Sequence, residues 1–271
     1  MTKSILFGAS GIAVAFAMLA FGYAAGDLTP ARAQEMPQTA QAGAPLDKAA
    51  IEQIVRDYLL ANPEILEEMQ ASLDEKRKEE QRVAQIETIQ SNKDEIFNAS
   101  YDGVVGNPSG KITIVEFYDY NCGFCKRALE DMQALTQENP DLRFVLKEFP
   151  ILRPDSQKAH VVASAFLRLM PEKFEDFHNQ LLGSQGRAGE ASALKIALSL
   201  GADEAKLREE MKNEEIVENF AKTYDLANKL QITGTPSYVV GNEVVFGALG
   251  KDVLNEKIAA ARAACSASTT C

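Results

Sequence analysis

The chain has 271 residues, of which 46% are hydrophobic and 25% charged, so it is long and apolar enough to build at least one globular core. Its formal net charge at pH 7 is −11. A surplus of negative charge repels polyanions, so we expect no nucleic-acid partner.

The first 33 residues have the pattern of an export signal. Lys3 precedes an apolar run from Ile5 to Ala25, and the tripeptide Ala-Arg-Ala at 31–33 fits a signal-peptide cleavage site. The apolar run is also long enough to serve as a membrane anchor instead. Both interpretations send the rest of the chain across the membrane, and we therefore expect it in the periplasm. Residues 34–46, rich in Pro, Ala and Gln, are interpreted as a flexible lead-in.

A helical arm is predicted for residues 47–98. Asp47 is a suitable N-cap for a first helix, and Asn62 with Pro63 is predicted to cap and begin a second. Both helices carry an apolar stripe at helical spacing. The stretch DEKRKEEQR at 74–82 is strongly helix-forming but has no apolar face, and it is interpreted as a charged linker. Since the stripes have no other core to join, we expect the arm to form homo-oligomers. A solvated arm without a role is the alternative.

Residues 99–271 have the pattern of an α/β domain. The run KITIVEFY at 111–118 predicts a strand buried on both faces, and LRFVLKEF at 142–149 predicts a second strand. Residues from about 155 to 229 show only helical patterns and are interpreted as an inserted helical subdomain. The other predicted elements are a helix from about 122 to 137, a hairpin formed by 237–240 and 243–246, and a final helix from about 251 to 264.

Two cysteines three positions apart, Cys122 and Cys125, follow the first predicted strand in the stretch YDYNCGFCKR. At a helix N-terminus the first sulfur is stabilised as a thiolate and becomes a nucleophile, while the second, one turn later, can attack the resulting mixed disulfide. A metal site would need two further ligands. His160 and His178 lie in helical patterns flanked by apolar residues and are interpreted as ordinary helix residues, so neither a metal site nor a cofactor is predicted.

The sequence VEFYDYNCGFCKR, together with ITGTPSYVV far downstream, resembles the thioredoxin-fold proteins of the DsbA family. The segment IEQIVRDYLLANPEILEEMQ is similar to the oligomerising N-terminal region of the ScsC branch, the suppressor of copper sensitivity proteins. The resemblance covers essentially everything after Leu46. It implies a thioredoxin fold with a helical insertion behind an oligomerisation arm, with a trimer favoured. Misfolded envelope proteins are the implied substrates, and a membrane thiol reductase of DsbD or ScsB type is the implied electron donor.

The resemblance also assigns a substrate-binding surface. Pro236 matches the cis-proline that lies against the redox pair in this family, and the backbone at Thr235 is expected to pair with an extended substrate segment. Gly123 and Phe124, between the two cysteines, are expected to contact the same substrate. The Gly-Phe dipeptide departs from the Pro-His of the strongly oxidising prototype and is closer to the Gly-Tyr of dimeric disulfide isomerases. Thr235, which precedes Pro236, also favours similarity to the disulfide isomerases.

Two further pairs of residues are assigned. Glu116 and Lys147 match a buried charged pair beneath the redox helix of DsbA-like proteins, where it helps to move the proton of the second cysteine. Cys265 and Cys271, in the tail ACSASTTC, are expected to form a second disulfide in an oxidising compartment, with free thiols in a frayed tail as the alternative.

The sequence therefore predicts a periplasmic thiol–disulfide oxidoreductase with a redox-active Cys122–Cys125 disulfide, most consistent with an oligomeric protein disulfide isomerase. Three alternatives stay open. The first is a dithiol oxidase of DsbA type, which donates its own disulfide. The second is a copper-binding envelope protein, because soft thiolates also suit Cu(I). The third is a structural envelope protein that uses the helical arm.

Overall fold

The computed structural model describes residues 47–267, with the side chains of the last two excepted. The predicted export signal, the lead-in at 34–46 and Cys271 therefore lie outside the described residues. Contacts divide the chain into two units between Pro63 and Glu64.

The first unit contributes one described helix, α1 (Lys48–Ala61). The Asp47 side chain caps it by accepting the backbone N–H of Ala50 at 2.7 Å, as the sequence predicts. Asn62 ends the helix, because its backbone and side-chain N–H groups both donate to the Tyr58 carbonyl. The prediction that Asn62 caps the following helix is therefore wrong. Within α1 no residue is buried, and its apolar stripe is exposed: Ile51, Ile54, Val55, Tyr58 and Leu59.

The second unit begins with a long helix, α2 (Ile65–Ser91), and a short one, α3 (Lys93–Phe97). At 27 residues, α2 is roughly 40 Å long. It starts after Glu64 rather than at Pro63. It contains the whole charged stretch 74–82, which is helical, as its composition predicts. Gln, Lys, Arg and Glu are good helix formers, so the stretch holds its helical conformation without an apolar face.

Five strands form one sheet in the order β1-β3-β2-β4-β5. The central pair, β2 and β3, is parallel, and every other pairing in the sheet is antiparallel. The sequence missed β1, whose four residues, GVVG, are too few to show a period. The strands are β1 (Gly103–Gly106), β2 (Ile112–Tyr118), β3 (Leu142–Glu148), β4 (Ser237–Val240) and β5 (Glu243–Phe246).

Helices follow the predicted pattern closely. One helix connects β2 to β3, five make up the insertion before β4, and one ends the described chain. They are α4 (Gly123–Glu138), α5 (Pro154–Leu169), α6 (Phe174–Leu182), α7 (Glu190–Ser199), α8 (Glu204–Glu210), α9 (Glu214–Lys229) and α10 (Lys251–Ala267), with a short 3-10 turn at Pro171–Lys173.

The sheet separates two hydrophobic cores, because successive side chains of a strand point to opposite faces. Ile114 of β2 packs with α4, α10 and the helical insertion, whereas Val115 and Phe117 pack with the second core. That second core also contains Ile89 of α2 and Ile96 of α3, both at most 1% exposed. The last turns of α2 and the short helix α3 are therefore part of the folded domain.

The end of α2 also covers the free edge of the sheet. The Gln85 side-chain oxygen accepts the backbone N–H of Val244 in β5 at 3.2 Å, and the Gln90 amide donates to the Asn242 side chain at 2.5 Å. An uncovered edge strand would offer its N–H and C=O groups to other chains. The domain boundary at residue 99 is consequently misplaced, since the folded domain already includes the last turns of α2. Within residues 47–267, no helix is both long enough and apolar enough to cross a membrane.

We predict that Ile89→Ala destabilises the second unit by about 2–4 kcal/mol, because it leaves a cavity where a side chain is 1% exposed. Val83→Ala, six residues earlier in the same helix where the side chain is 52% exposed, is the matched control and should cost less than about 0.5 kcal/mol. Urea unfolding monitored by circular dichroism measures both. Equal, small effects would contradict the assignment of the end of α2 to the domain core.

Candidate active site

The chain turns from β2 into α4 at Cys122, which is the N-cap residue of the helix. Its sulfur accepts the backbone N–H of Cys125 at 3.4 Å, so it lies against the unpaired donors and the positive end of the helix dipole. Gly123 is exposed, and a Cβ there would meet nothing within 4 Å. The Phe124 ring is 57% exposed, with the Arg127 guanidinium 4.2 Å from its centroid.

The Thr235–Pro236 peptide bond is cis, as the family resemblance implies. The Thr235 carbonyl oxygen lies 3.1 Å from the Cys122 sulfur and accepts its S–H when Cys122 is protonated. The structure thus brings together two segments that are more than a hundred residues apart, and Pro236 leads directly into β4, which pairs with β2.

The two free thiols have opposite environments. The pKa of Cys122 is lowered to about 6, first by a hydrogen bond from the Cys125 side chain and further by Thr235 and backbone N–H groups, against the opposing effect of partial burial. Cys125 is 0% exposed, and burial raises the pKa of its thiol, with the Cys122 hydrogen bond and the Glu116 charge adding to the effect. At neutral pH the first sulfur is therefore a thiolate, and the second keeps its proton.

Glu116 lies in β2 on the same face of the sheet as α4. It is 1% exposed, and both carboxyl oxygens lack a hydrogen-bond partner within the described residues. Burial, together with the negative charge of Cys122, raises its pKa to about 8. Glu116 thus holds a proton at neutral pH beside the redox pair.

Lys147 does not pair with Glu116, and the predicted charged pair is wrong. Lys147 aligns with Phe117 in the β2–β3 register, whereas Glu116 aligns with Leu146, so the two charged side chains point to opposite faces of the sheet. The Lys147 ammonium instead donates to Asp102 at 2.5 Å and to the Glu95 carbonyl, and thereby ties α3 and β1 to the sheet.

The turn before Cys122 contains polar residues whose role the sequence alone did not indicate. Asp119 accepts the backbone N–H of Leu152 at 3.0 Å, and the Asn121 amide donates to the Ser156 hydroxyl at 3.0 Å. Asn121 also exchanges two hydrogen bonds with the backbone of Ala188, at 2.8 and 2.9 Å. Their only sequence signal was their position next to the first cysteine. They connect the redox turn to the helical insertion.

The two histidines and the C-terminal cysteines are the remaining residues that the sequence singled out. His160 and His178 are both buried beside the first core, and burial lowers the pKa of His178 to about 3. Cys265, near the end of α10, is disulfide-bonded. Because Cys271 lies outside the described residues, the Cys265–Cys271 pairing stays a prediction.

This arrangement of a four-residue Cys-x-x-Cys turn, a following helix and a facing cis-proline defines the class of thioredoxin-fold proteins. The family described as DSBA-like thioredoxin domain matches residues 113–259, and the family described as copper resistance protein ScsC N-terminal domain matches residues 47–80. The chain belongs to the DsbA-like thioredoxin family, and it is a ScsC-like member of that family.

Solved structures agree with this assignment. A thioredoxin-like oxidoreductase from Silicibacter pomeroyi is 39% identical, with a TM-score of 0.60, over 64% of this chain and 98% of that one. Proteus mirabilis ScsC in a transitional conformation is 28% identical, with a TM-score of 0.61, over 81% of this chain and 100% of that one.

Curated relatives match over part of their length. Disulfide bond formation protein D of Bacillus subtilis is 27% identical over 168 residues, which are 57% of this chain and 74% of that protein. The chain spans only 24% of the length of two Salinispora proteins, Na⁺/H⁺ antiporters of the NhaA type, which it matches at 26% identity over 59% of its own residues.

We predict that alkylation of the reduced protein modifies Cys122 with a pH midpoint of about 6 and leaves Cys125 unmodified. Cys125→Ala should raise the midpoint, because it removes the thiol that donates to the Cys122 sulfur. Cys125→Ser, which keeps a donor, should raise it less. Peptide mapping after timed alkylation at a series of pH values measures each midpoint, and faster modification of Cys125 would reverse the assigned roles.

The Lys147–Asp102 pair yields a second prediction. Lys147→Met or Asp102→Leu alone should destabilise the fold by about 3–5 kcal/mol, because each leaves a buried charge without its partner. The double variant should recover most of that loss, since two apolar side chains then fill the site. Urea unfolding of the four proteins completes a double-mutant cycle. Additive losses in the double variant would show that the two side chains do not depend on each other.

Proposed function

We propose that this protein is an envelope thiol–disulfide oxidoreductase that works as an oligomeric protein disulfide isomerase. One observation carries the proposal: the Cys122 sulfur lies at the N-terminus of α4, 3.1 Å from the carbonyl that precedes the cis-proline, with Cys125 buried one turn behind it. Membership in the DsbA-like family and the likeness to ScsC support it.

The chemistry follows from the two unequal thiols. The Cys122 thiolate attacks one sulfur of a substrate disulfide, which forms a mixed disulfide and releases the other substrate sulfur as a thiolate. In isomerisation, a different substrate thiolate then attacks the mixed disulfide and frees Cys122 unchanged. In a stalled complex, Cys125 loses its proton and attacks Cys122, which releases a reduced substrate and leaves the Cys122–Cys125 disulfide.

The ionised fraction of Glu116 is suited to accept the proton of Cys125, because a carboxylate accepts a proton and a protonated carboxyl group does not. Its carboxyl group is buried on the α4 side of the sheet, and its charge affects the pKa of Cys125 directly. With a pKa of about 8, Glu116 exchanges a proton within the range of pH at which the enzyme would work. Lys147 has no part in this step.

Substrate binding is assigned to the surface around the redox pair. The backbone before Pro236 is expected to pair with an extended substrate segment in the manner of an added strand. Phe124 and Leu152 are 57% and 46% exposed, and apolar side chains of this kind suit unfolded chains with exposed hydrophobic residues. Gly123 leaves room for a substrate beside Cys122, since it carries no side chain.

The exposed stripe of α1 is assigned to homo-oligomerisation. Five apolar residues at helical spacing face solvent in α1, and the ScsC N-terminal family matches this region. A trimer is favoured by the ScsC-like resemblance. Several catalytic domains on one stem raise the local concentration of thiols near a single misfolded substrate, which favours repeated exchange over a single transfer.

The location and the electron donor complete the proposal. We place the protein in the periplasm, where a membrane thiol reductase of DsbD or ScsB type would keep Cys122 and Cys125 reduced. A dithiol oxidase of DsbA type is the second candidate, favoured by the likeness to Disulfide bond formation protein D. A role in copper tolerance is suggested by the name of the N-terminal family match alone.

The central experiment separates isomerase from oxidase. The fully reduced chain should reactivate a protein with scrambled disulfides, and Cys122→Ser should abolish that activity. Ile54→Glu with Tyr58→Glu in the α1 stripe should reduce the native mass to that of a monomer and lower isomerase activity, while disulfide transfer to small thiols is retained. Arg56→Glu, with the same change of two charge units on the opposite side of α1, is the matched control and should preserve the oligomer.

Two results would contradict the proposal. A doubly substituted monomer that repairs scrambled substrate as fast as the wild type would remove the role of the arm. An oxidised wild-type protein that introduces disulfides rapidly, while the reduced protein repairs none, would establish the oxidase instead.

A further inference from the structure

Among the anchors of the turn that precedes Cys122, one uses a histidine ring. The backbone N–H of Tyr120 donates to Nε2 of His160 in α5 at 3.2 Å. Tyr120 and His160 are both 0% exposed, so water does not compete for this N–H group. Asp119 and Asn121, on either side of Tyr120, are the residues already tied to Leu152, Ser156 and Ala188.

Glu148 fixes the orientation of the His160 ring through a contact with Nδ1. Because Nε2 accepts a hydrogen bond from Tyr120, Nδ1 carries the ring proton and donates it to the Glu148 carboxylate. The other oxygen of Glu148 accepts the Tyr118 hydroxyl at 2.6 Å. Glu148 therefore receives two donors, and it holds the ring in the tautomer that leaves Nε2 free to accept.

His178 provides a contrast within the same core. It is also 0% exposed and lies among the same tyrosines, but its Nδ1 is 3.4 Å from the side-chain hydroxyl of Tyr120 and does not contact the backbone of the turn. Its Nε2 has no partner within the described residues. Two buried histidines thus differ in one respect that matters for Cys122: only the His160 contact holds the backbone.

We infer that His160, oriented by Glu148, is a positioning residue that holds the turn at 119–122 so that the Cys122 sulfur stays at the start of α4 and beside the Thr235 carbonyl. The inference rests on the proposed role of Cys122 as the attacking thiol. It gives the helical insertion a part in tuning the reacting sulfur, in addition to covering the first core.

The physical link runs through the backbone. Without an acceptor at the Nε2 position, the buried N–H of Tyr120 loses its partner, and the turn gains by moving toward any other acceptor. The Cys122 amide donates to the Asp119 carbonyl at 2.9 Å across the same turn, so a moved turn carries Cys122 with it. The sulfur then loses alignment with the helix N–H groups and with the Cys125 thiol, which stabilise the thiolate.

The test compares two amides at one position. In His160→Gln the side-chain oxygen reaches the place of Nε2, whereas in His160→Asn it reaches only the place of Nδ1. His160→Asn should raise the thiolate pKa of Cys122 by about one unit, and His160→Gln should stay within about 0.3 unit of the wild type. His178→Asn, a substitution of equal size in the same core, should leave the pKa unchanged. Thiolate absorbance against pH measures each value, and thermal unfolding reports the cost to the fold.

Several outcomes would overturn the inference: an unchanged pKa in His160→Asn, an equal shift in His178→Asn, or a shift in His160→Gln as large as that in His160→Asn. If His160→Asn does not fold, His160→Gln decides alone, because a folded Gln variant with a raised pKa contradicts the inference and one with the wild-type pKa supports it. The measurement needs no substrate. Failure of the wild type to exchange disulfides would therefore overturn the proposed function without affecting this result.

Discussion

The contact between the Cys122 sulfur and the first turn of α4 is the interaction on which the site depends. One turn separates Cys122 from Cys125, yet the donors at the helix start lower the pKa of the first thiol to about 6 while burial raises that of the second. Proteins obtain a nucleophile at neutral pH by such differences of environment, and not by the chemistry of the residue itself. The parallel β2–β3 pair, the cis-proline segment and the anchored turn all serve to place that single sulfur.

The buried ionisable side chains on the two faces of the sheet differ in whether they have a partner. On the α4 face, Glu116 is buried without a partner in the described part of the chain, which keeps it protonated and able to exchange a proton. On the opposite face, Lys147 is matched with Asp102 and the Glu95 carbonyl. An unpaired ionisable group costs stability and is characteristic of function, whereas a paired one holds elements together. Lys147 lies one residue beyond Leu146, the partner of Glu116 in β3, and this single step places the two side chains on opposite faces.

The long helix α2 has an exposed apolar first part and a buried last part. Its first part exposes apolar residues such as Leu66 and Met69, at 72% and 61%, and its last turns are buried in the second core. The charged stretch between them forms regular helix and has no core to join. The α2 sequence contains no Pro or Gly, which are common causes of a sharp kink, and the helix is continuous from Ile65 to Ser91.

The sequence by itself determined the elements and the chemistry of the pair. Periodicity located β2, α4, the hairpin of β4 and β5 and the extent of the insertion, and the spacing of Cys122 and Cys125 indicated thiol exchange, because these signals are local. Tertiary structure alone decided the partners. The register of β2 with β3 turned Lys147 away from Glu116, packing drew the end of α2 into the domain, and the insertion placed His160 behind Tyr120. Such contacts join residues far apart in the chain, and side-chain types and local spacing carry no record of which distant groups will meet.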